Sequence, residues 1–219
     1  MMKTIRITVL ILIVAVVVST AIYLQQEQEE TKLKVIYAGS LIVPFEELEK
    51  QFESLYPGVD VQMEGHGSIQ VIRQVTDIHK AVDVLAVADY SLIPDLMYAT
   101  KSVENYADWY VKFATNQMVI AYNNQSKYAD EITESNWYDI LARPDVTFGF
   151  SNPMLDSCGY RTLMVTQLAE SYYDNQTIFD DLIACNFEPT ISINQEGDTY
   201  IVFVPEIFEP QAGKVVVRG

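Results

Sequence analysis

From Leu33 onward the chain alternates short runs of β-branched residues with stretches in which apolar residues return every three or four positions. LKVIYA reads as a strand. Ile42, Phe45, Leu48, Phe52 and Leu55 then fall on one face of a helix over Ile42 to Tyr56, which Pro57-Gly58 stops. VDVQMEG is the next strand. A second amphipathic helix starts at Ser68 with Ile69, Ile72, Val75 and His79 along its stripe, and AVDVLAVA is a third strand. A βαβαβ order with Gly-containing loops at the carboxyl ends of the strands predicts a parallel sheet, since a parallel neighbour is reached only through a crossover. Ligands of such sheets bind in the crevice outside the carboxyl ends of the strands.

The alternation resumes near Gln117. QMVIAY reads as a strand, Trp137 to Leu141 as a short helix, VTFGF as a strand and Arg161 to Tyr172 as a longer helix; ISIN, TYIVFV and KVVVR follow, separated by turn-forming residues. Between the two sets, Tyr98 to Asn116 places Trp109 and tyrosines among polar residues and reads as a crossing from one lobe to another. The organisation is thus α/β with a first lobe over 33–115 and a second over 116–219, and the cleft between lobes is the expected place for a small ligand.

Ahead of the lobes, Lys3 and Arg6 precede an apolar run from Ile7 to Leu24. Residues 1–24 are therefore a signal peptide or an N-terminal membrane anchor, and 25–32 a polar tether. Ser19-Thr20-Ala21 matches a cleavage site only weakly, so removal and retention both stay open. In either case the lobes are expected outside the membrane, secreted or anchored at its extracellular face.

Composition narrows the function. With 49% hydrophobic residues in 219, the chain buries a core without a disulfide scaffold. A formal charge of −16 argues against nucleic acid and against adhesion of the folded body to anionic lipid. An anion receptor with this surface has to capture its ligand at short range, with oriented N–H groups, hydroxyls or coordination. The two cysteines, Cys158 and Cys185, form one bridge or stay free. His66 and His79 have no supporting metal-ligand pattern, and no base is visible for Cys158, so no catalytic residue is assigned.

Two small-residue turns fall at equivalent places, Ala38-Gly39-Ser40 after the first strand and Gly65-His66-Gly67-Ser68 after the second. A serine at the start of a helix can cap it, and the exposed N–H groups of the first turn bind anions; both meanings stay open here. Asp156, in Asn152-Pro153-Met154-Leu155-Asp156-Ser157-Cys158-Gly159-Tyr160-Arg161, stands just before a helix and reads as a cap by position. Asp83 and Asp89 flank the third strand and read as caps or turns.

The blocks AGSL, GS opening a helix with Arg73 beyond it, VDVLAVADYSLIPDLMY, WYVKFATNQMVIAYNN, FGFSNP and DSCGYR resemble the archaeal-type tungstate/molybdate-binding proteins of ABC importers, from about Leu33 to Arg218. The resemblance implies a two-lobed, periplasmic-binding-protein-like fold of class II. It implies that Ser40 and Ser68 donate hydrogen bonds to the oxyanion, that Asp156 supplies a carboxylate to its Mo or W centre, and that the backbone around Cys158 and Gly159 binds an oxo group. It also implies a monomer that uses no cofactor, performs no chemistry and delivers tungstate or molybdate to a membrane permease and its ATPase. Two departures accompany it. Ser157 stands where proline is common. Family members also continue past the position of Arg218-Gly219 with a helix and a glutamate-bearing strand, so an incomplete second lobe lacking one coordinating carboxylate is expected. Another oxyanion on the same fold, such as sulfate, thiosulfate or phosphate, and a membrane-tethered sensor or degenerate fragment are the alternatives.

Overall fold

Strand β1 (Thr31–Ala38) lies between β2 (Val59–His66) and β3 (Val84–Ala86) in a wholly parallel sheet, order β2-β1-β3. Val35, Ile36, Tyr37 and Ala38 of β1 are all buried, as a central strand covered on both faces requires. In this computed structural model the residues described are 16–17, 30–99, 104–197 and 199–218. Of the expected leader only Val16 and Val17 are described, both helical, and the rest of 1–24 lies outside the described residues. Thr31 and Lys32, at the end of the expected tether, pair with Val59 and Asp60 as the start of β1. Among the described residues no helix is long and apolar enough to cross a membrane.

Helix α1 (Ile42–Leu55) forms where the periodicity placed it and ends where Tyr56 donates its N–H to the Phe52 carbonyl at 2.8 Å, just before Pro57. Its expected apolar face is only partly used. Phe45 packs on Tyr37 at 5.1 Å between ring centroids, while Leu48 and Leu55 stay 54% and 75% exposed. Helix α2 (Ser68–Thr76) buries Ser68, Val71 and Ile72, so its inner stripe begins with the serine itself. His79 is past the end of α2, in the left-handed region at φ 54°. Helix α3 (Leu92–Met97) follows β3, and Ile72, Ile93 and Met97 form a second small cluster beside the one around Val35 and Tyr37.

The segment 104–123 runs without helix or strand. Phe113 approaches Phe45 at 6.1 Å, Tyr110 stacks on Tyr90, and the chain then moves to the second unit. QMVIAY does not form the expected strand. Its alternation is that of a strand, but no neighbour pairs with it among the described residues, and Val119 is 76% exposed. A strand exists only through its partner.

The second unit contains helix α4 (Trp137–Ala142), β4 (Phe148–Ser151), α5 (Ser157–Tyr173), α6 (Ile178–Leu182), the short pair β5 (Phe187–Glu188) and β8 (Glu209–Pro210), the hairpin of β6 (Ser192–Glu196) with β7 (Thr199–Phe203), and β9 (Val215–Arg218). β4 and β9 pair in parallel. Helix α5 begins a full turn earlier than Arg161. Its own core, built on Phe150, Leu163, Phe179, Leu182, Ile183 and Phe187, is separate from that of the first unit. The chain therefore has two α/β cores joined by a crossing.

Candidate functional site

The register of β1 with β2 pairs Tyr37 with Gly65 and Ala38 with His66, so the two small-residue turns lie side by side at the carboxyl edge of the sheet. Neither serine is a cap. Ser40 is exposed within a single 3-10 turn (Gly39–Leu41), and α1 is preceded by Leu41. Gly67 precedes α2, its N–H donating to Gln70 Oε1 at 3.1 Å, and Ser68 is wholly buried as the first helical residue.

The N–H groups that open α2 are all taken by the second unit. Ser68 donates to Asp156 Oδ1 at 2.9 Å, and Ile69 and Gln70 donate to the Leu155 carbonyl at 3.0 and 3.2 Å. The Ser68 hydroxyl accepts the Ala88 N–H at 3.2 Å and lies 3.1 Å from the Ser157 hydroxyl. Asp156 has the extended backbone of a residue preceding a helix, but its side chain does not cap α5. One oxygen serves α2 in the other unit, and Oδ2 accepts the Ser151 hydroxyl at 2.8 Å. The cap reading of Asp156 is thus corrected: the carboxylate goes to the positive end of a foreign helix, where the summed N–H dipoles favour negative charge.

Gly159 is buried, and its N–H donates to the Asp156 carbonyl at 3.2 Å. A Cβ there would stand 2.3 Å from the Ser151 carbonyl oxygen, so glycine allows α5 to pack on β4. Cys158 is exposed and its thiol is free, as is that of Cys185, so the two do not form a bridge. Cys158 faces a cavity of about 1600 Å³ whose lining is largely apolar, with Met118, Ile120, Trp137 and Leu168 among its walls. That cavity is far larger than a tetrahedral anion needs. Ser68 and Asp156 are not among its walls and meet instead at the seam between the two units.

Asp89, a cap or turn residue by position, does more. It is buried, accepts the Tyr160 hydroxyl at 2.7 Å and Arg161 Nε at 3.1 Å, pairs with Arg161 Nη2, and accepts the Ser91 hydroxyl and N–H. Burial pushes the Asp89 carboxyl up, but hydrogen bonds from Tyr160, Arg161 and Ser91 outweigh it and hold it at about 2. Burial and the neighbouring Asp89 carboxylate push the Tyr160 phenol up. Nothing in the periodicity links Asp89 to Arg161, because the pairing spans the two units.

His66 Nε2 lies 2.6 Å from Glu64 Oε1, and Lys80 pairs with the same carboxylate. Hydrogen bonds from Lys80 and His66 lower the Glu64 carboxyl to about 2. Among the described residues no group of three or more His, Cys, Asp and Glu side chains is placed to hold a metal ion.

A family model described as bacterial extracellular solute-binding protein matches residues 33–207. A protein of Methanococcus maripaludis (strain C5), described as an uncharacterized solute-binding protein, is 49% identical over 187 residues, which cover 85% of this chain and 52% of that protein. A further uncharacterized solute-binding protein, from Petrotoga mobilis, is 48% identical over 151 residues, 69% of this chain and 46% of its own length. The molybdate/tungstate-binding protein WtpA of Pyrococcus abyssi is 46% identical over 198 residues, covering 87% of this chain and 54% of WtpA. The chain spans about half the length of these curated relatives. With two α/β cores meeting at a helix N-terminus and a family match over most of its length, the chain belongs to the bacterial extracellular solute-binding protein family.

Proposed function

We propose that the chain captures tungstate or molybdate at the seam between its lobes, on the extracellular side of a membrane, and delivers it to an ABC-type permease driven by an ATPase. The observation that carries this reading is the seating of the Asp156 carboxylate on the Ser68 N–H, with the hydroxyls of Ser68, Ser151 and Ser157 at hydrogen-bond distance of one another or of that carboxylate. A negatively charged, oxygen-bearing group already occupies the helix N-terminus. An oxyanion replaces it there, and Asp156 is freed to turn an oxygen toward the metal centre. Mo(VI) and W(VI) are hard centres that accept added oxygen ligands, whereas the sulfur of sulfate does not, so a carboxylate at this position both binds and discriminates. Ser40, at the parallel turn of the neighbouring strand, supplies a further hydroxyl donor, and the backbone around Cys158 and Gly159 serves an oxo group. The relative named for molybdate and tungstate supports the choice of solute.

Calorimetric titration of the full chain with tungstate, molybdate and sulfate, beside Asp156→Asn, tests the reading. Tungstate and molybdate bind and sulfate does not; the amide, which keeps the shape but coordinates poorly, weakens both by about tenfold or more, a loss of at least about 1.4 kcal/mol. Equal affinity for sulfate, or binding indifferent to Asp156→Asn, overturns it.

A further inference from the structure

Every hydrogen bond described between the two lobes falls on one short seam, with residues 68–70 and Asp89 on one side and Leu155 to Arg161 on the other. These contacts are not equivalent. The bonds of Ser68, Ile69 and Gln70 go to groups that a solute would displace, and the Ser68–Ser157 contact joins two neutral hydroxyls. Asp89 with Arg161 is the one ion pair described across the seam. It is built on the residue next to Ala88, whose N–H holds the Ser68 hydroxyl.

We propose that Asp89, with Tyr160 and Arg161, is a latch that holds the two lobes together before any solute is bound and sets how readily the empty molecule opens. The Asp89 side chain is 5% exposed and that of Arg161 46% exposed. The carboxylate is therefore held by the first lobe, and the guanidinium leaves it for water when the lobes part. Tyr160, the adjacent residue on α5, gives up its hydroxyl bond in the same movement. Charge-assisted bonds to a desolvated carboxylate are stronger than a bond between two hydroxyls, so their loss shifts the balance between closed and open forms more than loss of the Ser68–Ser157 pair does. Asp89 is a positioning group: it reaches Asp156 only through α5, whose first turns carry Tyr160 and Arg161.

The inference rests on the reading of the seam as a solute site between lobes, but its test needs no solute, so each can fail separately. Amide hydrogen exchange is measured on the full chain without oxyanion for the wild type, Asp89→Asn and Arg161→Gln. Exchange at Ser68, Ile69 and Gln70, whose N–H groups bond across the seam, accelerates about tenfold or more in both variants. The Val71 amide, bonded to Gly67 within the first lobe, and the amides of β1 and β2 keep their rates. Unchanged exchange at 68–70 overturns the latch, and so does uniform acceleration across the first lobe. Should Asp89→Asn fail to fold, the half-exposed Arg161→Gln decides alone, and Arg161→Lys, keeping the charge without the fork, falls between it and the wild type.

Discussion

A methyl group on Gly159 would lie 2.3 Å from the Ser151 carbonyl oxygen and 2.5 Å from the Pro153 nitrogen, backbone atoms that β4 and α5 hold within one unit. One on Gly67 would lie 2.4 Å from the Leu155 carbonyl oxygen and 2.9 Å from the Asp156 Cβ, atoms of the opposite unit. The overlaps are alike, but the means of relief differ. At Gly159 the helix has to lift from its own strand, which disturbs the core around Phe150 and Leu163, so Gly159→Ala costs about 2 kcal/mol and lowers Tm by roughly 4–8 °C. At Gly67 the units move apart without disturbing either core. Gly67→Ala therefore leaves thermal unfolding within about 2 °C of the wild type, while the amides of Ser68, Ile69 and Gln70 lose protection. Thermal scans paired with amide exchange read both, and the expectation fails if the two variants melt alike. Neither reason for a glycine was visible in the sequence. Gly67 and Gly159 stand in motifs that did draw notice, yet what they make room for is far along the chain or across a helix. Ser68 and Asp156 stand each at the start of a helix, and local pattern does not foresee their meeting; only the resemblance places both at one oxyanion.

At the scale of elements, most of the fold was legible because amphipathic periodicity is local. α1 and α2 begin where Ile42 and Ser68 predicted, and the parallel sense of the sheet follows from crossover geometry, whereas its order, β2-β1-β3, is not given by the pattern. QMVIAY alternates like a strand but forms none, because a strand depends on a remote partner. Two buried charges that periodicity also missed join elements of the second unit. Glu170 on α5 accepts the Phe179 N–H at 3.0 Å, capping α6 from outside, and is held by Gln167 at 2.9 Å. The Lys214 ammonium, just ahead of β9, donates to the carbonyls of Leu141, Arg143 and Val146, closing the end of α4 and the turn that leads to β4. Burial pushes the Lys214 ammonium down from its ordinary value, and three carbonyl dipoles hold the charge in place of a carboxylate. Lys214→Met keeps the stem and leaves those carbonyls without a donor, a loss of about 2 kcal/mol. The urea midpoint of unfolding falls accordingly with an unchanged m-value; an unchanged midpoint would mean that water replaces the ammonium without cost.

At the scale of the whole molecule, two cores that fold on their own hydrophobic clusters are held together by a seam whose ion pair titrates. The ordinary Asp carboxyl value is 3.8, and that of Asp89 is held at about 2 in the folded protein. A carboxyl lowered on folding contributes stability that is complete above its ordinary value and disappears as pH falls through the folded value. The latch is therefore intact at neutral pH and is lost between about pH 4 and pH 2, the interval in which Asp89 takes up a proton and Arg161 loses its partner. Glu64, beside Lys80 and His66, is lowered to a similar value, but it lies on the first lobe away from the seam contacts, so its protonation does not separate the lobes. The carboxyl-carbon shift of Asp89 followed by NMR across this range has its midpoint near 2 in the wild type. Arg161→Gln removes the guanidinium and moves the midpoint up toward 3.8, whereas Lys80→Gln moves only Glu64. If Asp89 instead titrates at its ordinary value in the wild type, the carboxylate is not held across the seam in solution, and lobe closure has to be assigned to the bonds of residues 68–70 with Leu155, Asp156 and Ser157.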